Sequence, residues 1–454
     1  MVHRRRSLRV LAMISVAGLA FTACGSDDDS ESDGTTSQPA AAADDSTTVA
    51  SSAAPTDTAS STTEGASSAT ESSSSAPADT GSTGGGGAAD SSLEPVRIGY
   101  VNEEIGTPSF PEGSAAVEAA VKYVNAKLGG VDGRPLEVVT CAVGTDEESN
   151  QKCGQQFAND SSITAVVTGL LFNAGPLYTA LQAAAIPVVG MVPLTGADQQ
   201  ATNAHFWSAG SLVAVAMGKL ASEVSDNPQR IGVLYSDDAA GNTAGELVEQ
   251  GVGTEVETIG AAVDQASGDV LGPIGSLGEV DAYVVLVSSA CLQVAQNLAT
   301  TAPDTPVVTT ASCLDPRFLK DSNGAMDGWY TASPSKLTNV AAGDSPDVDL
   351  FREQFPEYGD PALLDARYTG ANWGMIITLQ GILDRIGADS ISKDAVNTAL
   401  DEFTGPVDVG VENIACPGKV FPSVCAAEVL GYQQKGDVAT PLSGDQRLIS
   451  TDPS

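Results

Sequence analysis

Three observations predict an α/β protein in two lobes, each lobe a doubly wound parallel sheet. A strand, a crossover helix and a parallel strand can be read between Val96 and Val139. The same alternation restarts at Arg230. Aromatic residues make up only 5% of the chain while Gly numbers 47, which suits helices packed closely on sheets and not a β-sandwich.

The first unit sets the pattern. Residues 96–101 (V-R-I-G-Y-V) are short and rich in β-branched side chains, as a strand buried on both faces should be. A loop rich in Gly and Pro stops it. Ala116, Ala120, Tyr123, Val124 and Leu128 recur at helical spacing, with Glu118, Lys122 and Lys127 between them. Gly129-Gly130 ends that helix, because glycine reaches left-handed dihedrals without steric penalty. Residues 135–140 form the second strand. Then come a helix at 147–159, a strand at 164–169, a helix at 176–184 and a strand at 186–192. A helix at 212–224 leads to the second run. Its strands are 230–235, 255–259, 282–287 and 305–310, and its helices 244–251 and 292–300. The chain is expected to cross back near 328–333, to place helices 350–355 and 368–386 on lobe one, and to return to lobe two over 411–442.

What precedes the fold is of another kind. Arg4, Arg5, Arg6 and Arg9 form a basic region before an apolar run at 11–21, too short to span a bilayer, so 1–23 reads as a signal peptide. The run ends F-T-A-C, which resembles a bacterial lipobox and makes Cys24 the candidate lipidation site; ordinary cleavage near Ala23 is the other reading. Residues 25–93 are almost all Ser, Thr, Ala, Asp, Gly and Pro, without Lys or Arg. Such a segment has too little apolar mass to offset chain entropy. With Cys24 it reads as a tether, 24–93, whose r.m.s. span is about 45 Å.

The remaining 360 or so residues suffice for two cores. The expected arrangement is lobe one at 94–212 and 331–410, and lobe two at 213–330 and 411–454. A formal net charge of -37 argues against nucleic acid as a partner. Beyond Cys24 there are six cysteines, and an even number in an exported chain implies disulfides. Six allow fifteen connectivities. The sequential one, Cys141 with Cys153, Cys291 with Cys313 and Cys416 with Cys425, keeps each pair within one local unit. A metal site is not expected, since no C-x-x-C occurs and His205 is the only histidine beyond the leader. No G-x-S-x-G, Walker loop, G-x-G-x-x-G or H-E-x-x-H is present, so neither catalysis nor a cofactor is expected. His205 reads as a partly exposed hinge residue.

I-G-Y entering a loop at 98–100, A-A-V-K-Y-V-N-A at 119–126 and G-G-V-D-G-R-P-L-E-V at 129–138 resemble the first lobe of leucine/isoleucine/valine-type solute-binding proteins of ABC transporters. H-F-W-S at 205–208 and Y-T-G-A-N-W-G-M at 368–375 extend the likeness, from about Pro95 to near the C-terminus. The resemblance implies the type I periplasmic-binding-protein fold with a three-strand hinge, in its lipoprotein form. It further implies a monomer on the outer face of the cell membrane, anchored through Cys24, that captures a small molecule and delivers it to ABC permease subunits. A ligand-sensing receptor without transport, or a secreted hydrolase on the same fold, are the alternatives.

In open α/β sheets ligands sit beyond the carboxyl ends of the strands. The family's carboxylate-binding loops correspond to Phe172-Asn173 and Pro193-Leu194-Thr195. Thr195 and Asn173 equally suit helix N-caps. In lobe two the candidates are Ala240, Ser288, Ser289 and Ser312. Asp237-Asp238 reads as a cation site or a catalytic pair, or as a cap for the next helix. Ser312-Cys313 stands where amino-acid binders of the family hold a carboxylate for the ligand ammonium, which argues against a free α-amino acid as ligand. Replacing Cys24 by Ala is expected to move the protein from the membrane fraction into the medium; unchanged membrane association would refute the lipid anchor.

Overall fold

β1 (Val96–Glu103) pairs in parallel with two neighbours, so it is the strand on which the first sheet is laid. A computed structural model describes residues 86–454, apart from Thr107, Ala266, Ser288, Arg367, Asp445, Gln446, Ser454 and the side chain of Arg317. The expected leader, Cys24 and most of the expected tether lie outside the described residues. After β1 come α1 (Glu112–Lys127), β2 (Leu136–Val143), α2 (Glu147–Asn159), β3 (Ile163–Thr168), α3 (Gly175–Ala183), β4 (Val188–Gly190), α4 (Gly196–Gln200) and β5 (Ala204–Phe206). The sheet order is β2-β1-β3-β4-β5, all parallel. Period-2 burial is absent from β1, which is apolar on both faces because helices cover both.

Lobe two opens with α5 (Val213–Val224). It continues through β6 (Arg230–Ser236), α6 (Ala239–Val252), β7 (Glu257–Val263), α7 (Leu271–Leu277), β8 (Ala282–Leu286), α8 (Cys291–Thr301), β9 (Val307–Thr310), α9 (Pro316–Ser322) and β10 (Tyr330–Ser333). The chain then lays α10 (Pro346–Tyr358), α11 (Thr369–Ile386) and α12 (Lys393–Glu402) on lobe one. It ends in lobe two with β11 (Glu428–Lys435), β12 (Val438–Pro441) and β13 (Leu448–Ser450). The second sheet runs β12-β11-β10-β9-β8-β6-β7, with β13 on β11. Its strands β6 to β10 are parallel, but β11, β12 and β13 add an antiparallel extension.

Two expectations shift. The crossing expected at 328–333 comes later, because Tyr330–Ser333 is itself a strand, paired with β9 and β11. The expected return over 411–442 starts late as well. Phe206 N–H donates to Ser423 O and accepts at its carbonyl from Cys425 N–H, so the chain as far as Cys425 still edges the first sheet. α7 escapes a reading by pattern because Gly272, Pro273 and Gly275 interrupt its seven residues. Helix packing on lobe one centres on Trp373 of α11, whose ring lies 5.2 Å from Tyr123 and 5.9 Å from Phe351.

Three disulfides join Cys141–Cys153, Cys291–Cys313 and Cys416–Cys425, with Cα separations of 5.9, 5.4 and 4.7 Å. The second staples the start of α8 to a 3-10 turn, Ala311–Leu314, at the end of β9. Replacing Cys291 and Cys313 together by Ala is expected to lower unfolding stability by about 3 kcal/mol, as the unfolded chain gains freedom. Urea unfolding monitored by circular dichroism reads the loss, and an unchanged midpoint would show that the bond contributes nothing.

Candidate functional site

A cavity of about 260 Å³ lies between the lobes. The chain segments that follow β4, β5, β9 and β10 line it, together with the start of α11. It therefore sits at strand carboxyl ends of both sheets, where backbone leaves the sheet and side chains converge. Met191, Val192, Val213, Leu314, Pro316 and Leu337 give it apolar walls. Ser208, Thr310, Ser312, Ser335 and Thr338 bring hydroxyls, and Thr310 Oγ1 lies 2.7 Å from Ser312 Oγ.

Buried contacts of lobe one hold one wall. Tyr100 on β1 donates its hydroxyl to Asn372 Oδ1 at 2.8 Å. Asn372 Nδ2 donates to the carbonyl of Tyr368 at 2.8 Å and points at Met191 Sδ, 3.4 Å away. Both Tyr368 and Met191 line the cavity. Burial, with Glu104 and Glu112 nearby, pushes the Tyr100 hydroxyl well above its ordinary pKa, so it stays a donor. Gly210 shapes the exit from lobe one. Its φ is +56°, and a Cβ there would fall 2.2 Å from the carbonyl oxygen of Pro193.

A clamp of charged groups holds the wall contributed by the second crossing. Lys336, on the cavity wall, donates from Nζ to Asp347 Oδ2 at 2.7 Å. Asp347 also accepts from Ser345 Oγ and from Val409 N–H, both at 2.7 Å. Lys336 N–H donates to the carbonyl of Val409. Val409 is thus gripped at both backbone groups, and it is there that the chain adopts φ +51°, a conformation a β-branched residue resists. Burial opposes the Asp347 charge, but the Lys336, Ser345 and Val409 contacts outweigh it and hold its pKa below the usual value. Next to it, burial and then the Asp347 charge push Asp408 up to about 6.

Of the residues singled out in the sequence, Ser312 is the one that the described structure brings to the cavity. Ser288 lies outside the described residues. Thr195 is the N-cap of α4 and forms a capping box with Asp198. The Asp198 carboxylate, 1% exposed, accepts from Thr195 Oγ1, Thr195 N–H, Leu194 N–H and Tyr178 OH, so that hydroxyl is already committed. Asn173 donates to the carbonyl of Thr145, and Ala174, not Asn173, stands at the N-cap position of α3, without a side-chain cap. Phe172 is half-buried, Pro193 packs under Gly210, and Leu194 is exposed. Ala240 is exposed in the first turn of α6, which Asp238 caps through Gly241 N–H. Ser289 bonds Gln265. His205 is not partly exposed as expected but buried, with Nε2 2.8 Å from Asp401 Oδ1 on α12. Among the described residues no three His, Cys, Asp or Glu gather as metal ligands would. Lys336, Tyr368 and Asn372 were not legible as site residues, although the Y-T-G-A-N-W-G-M stretch carries two of them.

Two α/β lobes joined by three crossings around an interlobe cavity define a two-lobed solute-binding protein. The sequence profile of the periplasmic binding proteins matches residues 95–419, and the chain belongs to that family. Comparison with curated protein sequences finds no match. Solved structures show the same fold at low identity. A fatty acid ABC transporter substrate-binding protein from Thermomonospora curvata is 13% identical over 80% of this chain and 94% of its own, with a TM-score of 0.62. A solute-binding protein from R. palustris in complex with benzoate is 16% identical over 79% and 99%, with a TM-score of 0.59. A branched-chain amino acid transporter substrate-binding protein from Streptococcus pneumoniae in complex with isoleucine is 13% identical over 77% and 100%, with a TM-score of 0.56.

The clamp has a pH signature. Asp408 has a folded pKa raised from 3.8 to about 6, so the stability it confers is complete below pH 3.8 and is lost as pH rises through 6. Asp408→Asn is therefore expected to raise the melting temperature by a few degrees at pH 7.5 and to leave it unchanged near pH 4. Equal effects at both pH values would show that the charge is not the cause.

Proposed function

We propose that this protein captures a small molecule in the cavity between its lobes and hands it to an ABC permease from the outer face of the cell membrane. Lipid on Cys24 and the 24–93 tether would hold it there, and the chain would act as a monomer without enzymatic activity. The observation that carries the reading is the position of the cavity: it touches two crossings and strand ends of both sheets, so an occupant contacts both lobes at once. Such an occupant favours the closed arrangement by its differential affinity for it, which is what a permease can recognise. Ser208, Thr310, Ser312 and Tyr368 supply the polar contacts in this reading, and Met191, Val213 and Leu314 the apolar ones. The ligands named for the similar structures, a fatty acid, benzoate and isoleucine, share an apolar body and a carboxylate, to which isoleucine adds an ammonium.

Native mass spectrometry of gently purified protein is expected to show a retained small molecule. Ala371→Phe, which fills the cavity from the start of α11, is expected to remove it. Deletion of the gene is expected to abolish uptake of that molecule, with permease subunits co-purifying with the parent protein. Retention of the molecule by the filled variant, or unimpaired uptake after deletion, would overturn the proposal.

A further inference from the structure

The cavity holds charged groups, but each comes already spoken for. Lys336 is the one cationic side chain among its described lining residues. Its ammonium is held 2.7 Å from Asp347, and Asp347 also accepts from Ser345 and Val409. Asp408 adds a second carboxylate beside the pair, so with Lys336 at +1 and two carboxylates at -1 each the cluster is net negative above about pH 6. An anion would approach that charge, and the one described cation on the wall is already ion-paired with a carboxylate. Cationic ligands fare no better, because Asp347 and Asp408 are not among the described lining residues and offer no direct contact. Asp315 is buried and already engaged, and Asp365 is exposed to water at the rim. Desolvating a charge without a partner costs several kcal/mol. Hydroxyls carry no such penalty, since each can donate or accept.

We infer that the cavity is built for an uncharged molecule with a largely apolar body and one compact hydrogen-bonding group, such as a primary amide or an alcohol. The walls of Met191, Val192, Val213, Leu314 and Leu337 take the body, and the Thr310–Ser312 hydroxyl pair takes the polar end. A cavity of 150 Å³ accommodates benzene, so this one has room for about ten heavy atoms. Lys336 serves the hinge in this arrangement, and its pairing with Asp347 removes it from ligand recognition. The inference rests on the cavity being the ligand site, and it names what that site selects.

The test compares uncharged amides with charged molecules of similar size. Full-length protein, freed of retained ligand by unfolding and refolding with its disulfides intact, is titrated by calorimetry at pH 7.5 with two series. One is phenylacetamide, phenylacetate, 2-phenylethylammonium and phenylalanine; the other is octanamide, octanoate, octylammonium and leucine. The expected result is that the amide of at least one series binds about tenfold or more tighter than every charged member of its series. Ala371→Phe should abolish that binding. A charged member binding as tightly as its amide, or no binding of either amide to correctly refolded protein, overturns the inference. Binding that depends on an open cavity yet prefers an ion overturns the charge argument alone. Amide binding undiminished in Ala371→Phe overturns the cavity as the site.

Discussion

A single carboxylate, Asp347, ties together the parts of the chain that must agree for the two lobes to share a cavity. It receives Lys336 from the second crossing, Ser345 from the loop before α10, and the Val409 amide from the segment that runs back toward lobe two. Three donors on one partly buried acceptor offset the desolvation that would otherwise favour its protonation. The strained φ of Val409 is tolerated because both its amide and its carbonyl are engaged. Lose the acceptor, and the crossing, α10 and the Val409 turn each lose their common anchor.

The lobes are not separate bodies joined by flexible strings. One apolar cluster runs from Ile98 and Val117 under the first sheet, through Val215 and Met217 of α5, to Val284 and Ala332 in the second. A second cluster, around Val285 and Leu298, stays within lobe two, and a third, around Phe157 and Leu177, within lobe one. Packing of this density resists continuous deformation. Relative motion of the lobes must then be taken up where the chain crosses, at backbone and loops, and that is where the cavity is placed.

Much of the fold could be read from the sequence because its elements are periodic and bounded. β1, α1 and β2 carry both the apolar recurrence and the Gly stops that define them, and α2 carries Asp146 as a cap that accepts from Ser149 N–H. The antiparallel extension β11 to β13 was not legible, since edge pairing is decided by tertiary neighbours. The site was legible only at Ser312. Loops after strands were the right places to inspect, but which loops converge depends on how the crossings and α11 are set, and no local pattern encodes that. Thr195 shows the limit plainly. A hydroxyl after a strand in this fold suits a ligand, yet Asp198 three residues later makes it a capping box, and that i, i+3 spacing was present in the sequence all along.

The disulfides span 12, 22 and 9 residues of sequence, while Cys153 and Cys291, or Cys313 and Cys416, are separated by far longer stretches. The effective concentration of one thiol about another in an unfolded chain falls roughly as the -3/2 power of the intervening length. Correct partners therefore meet more often than wrong ones before any tertiary structure exists. An exported chain emerging into an oxidising compartment can settle its covalent pattern by proximity, without an isomerase having to sort the alternatives.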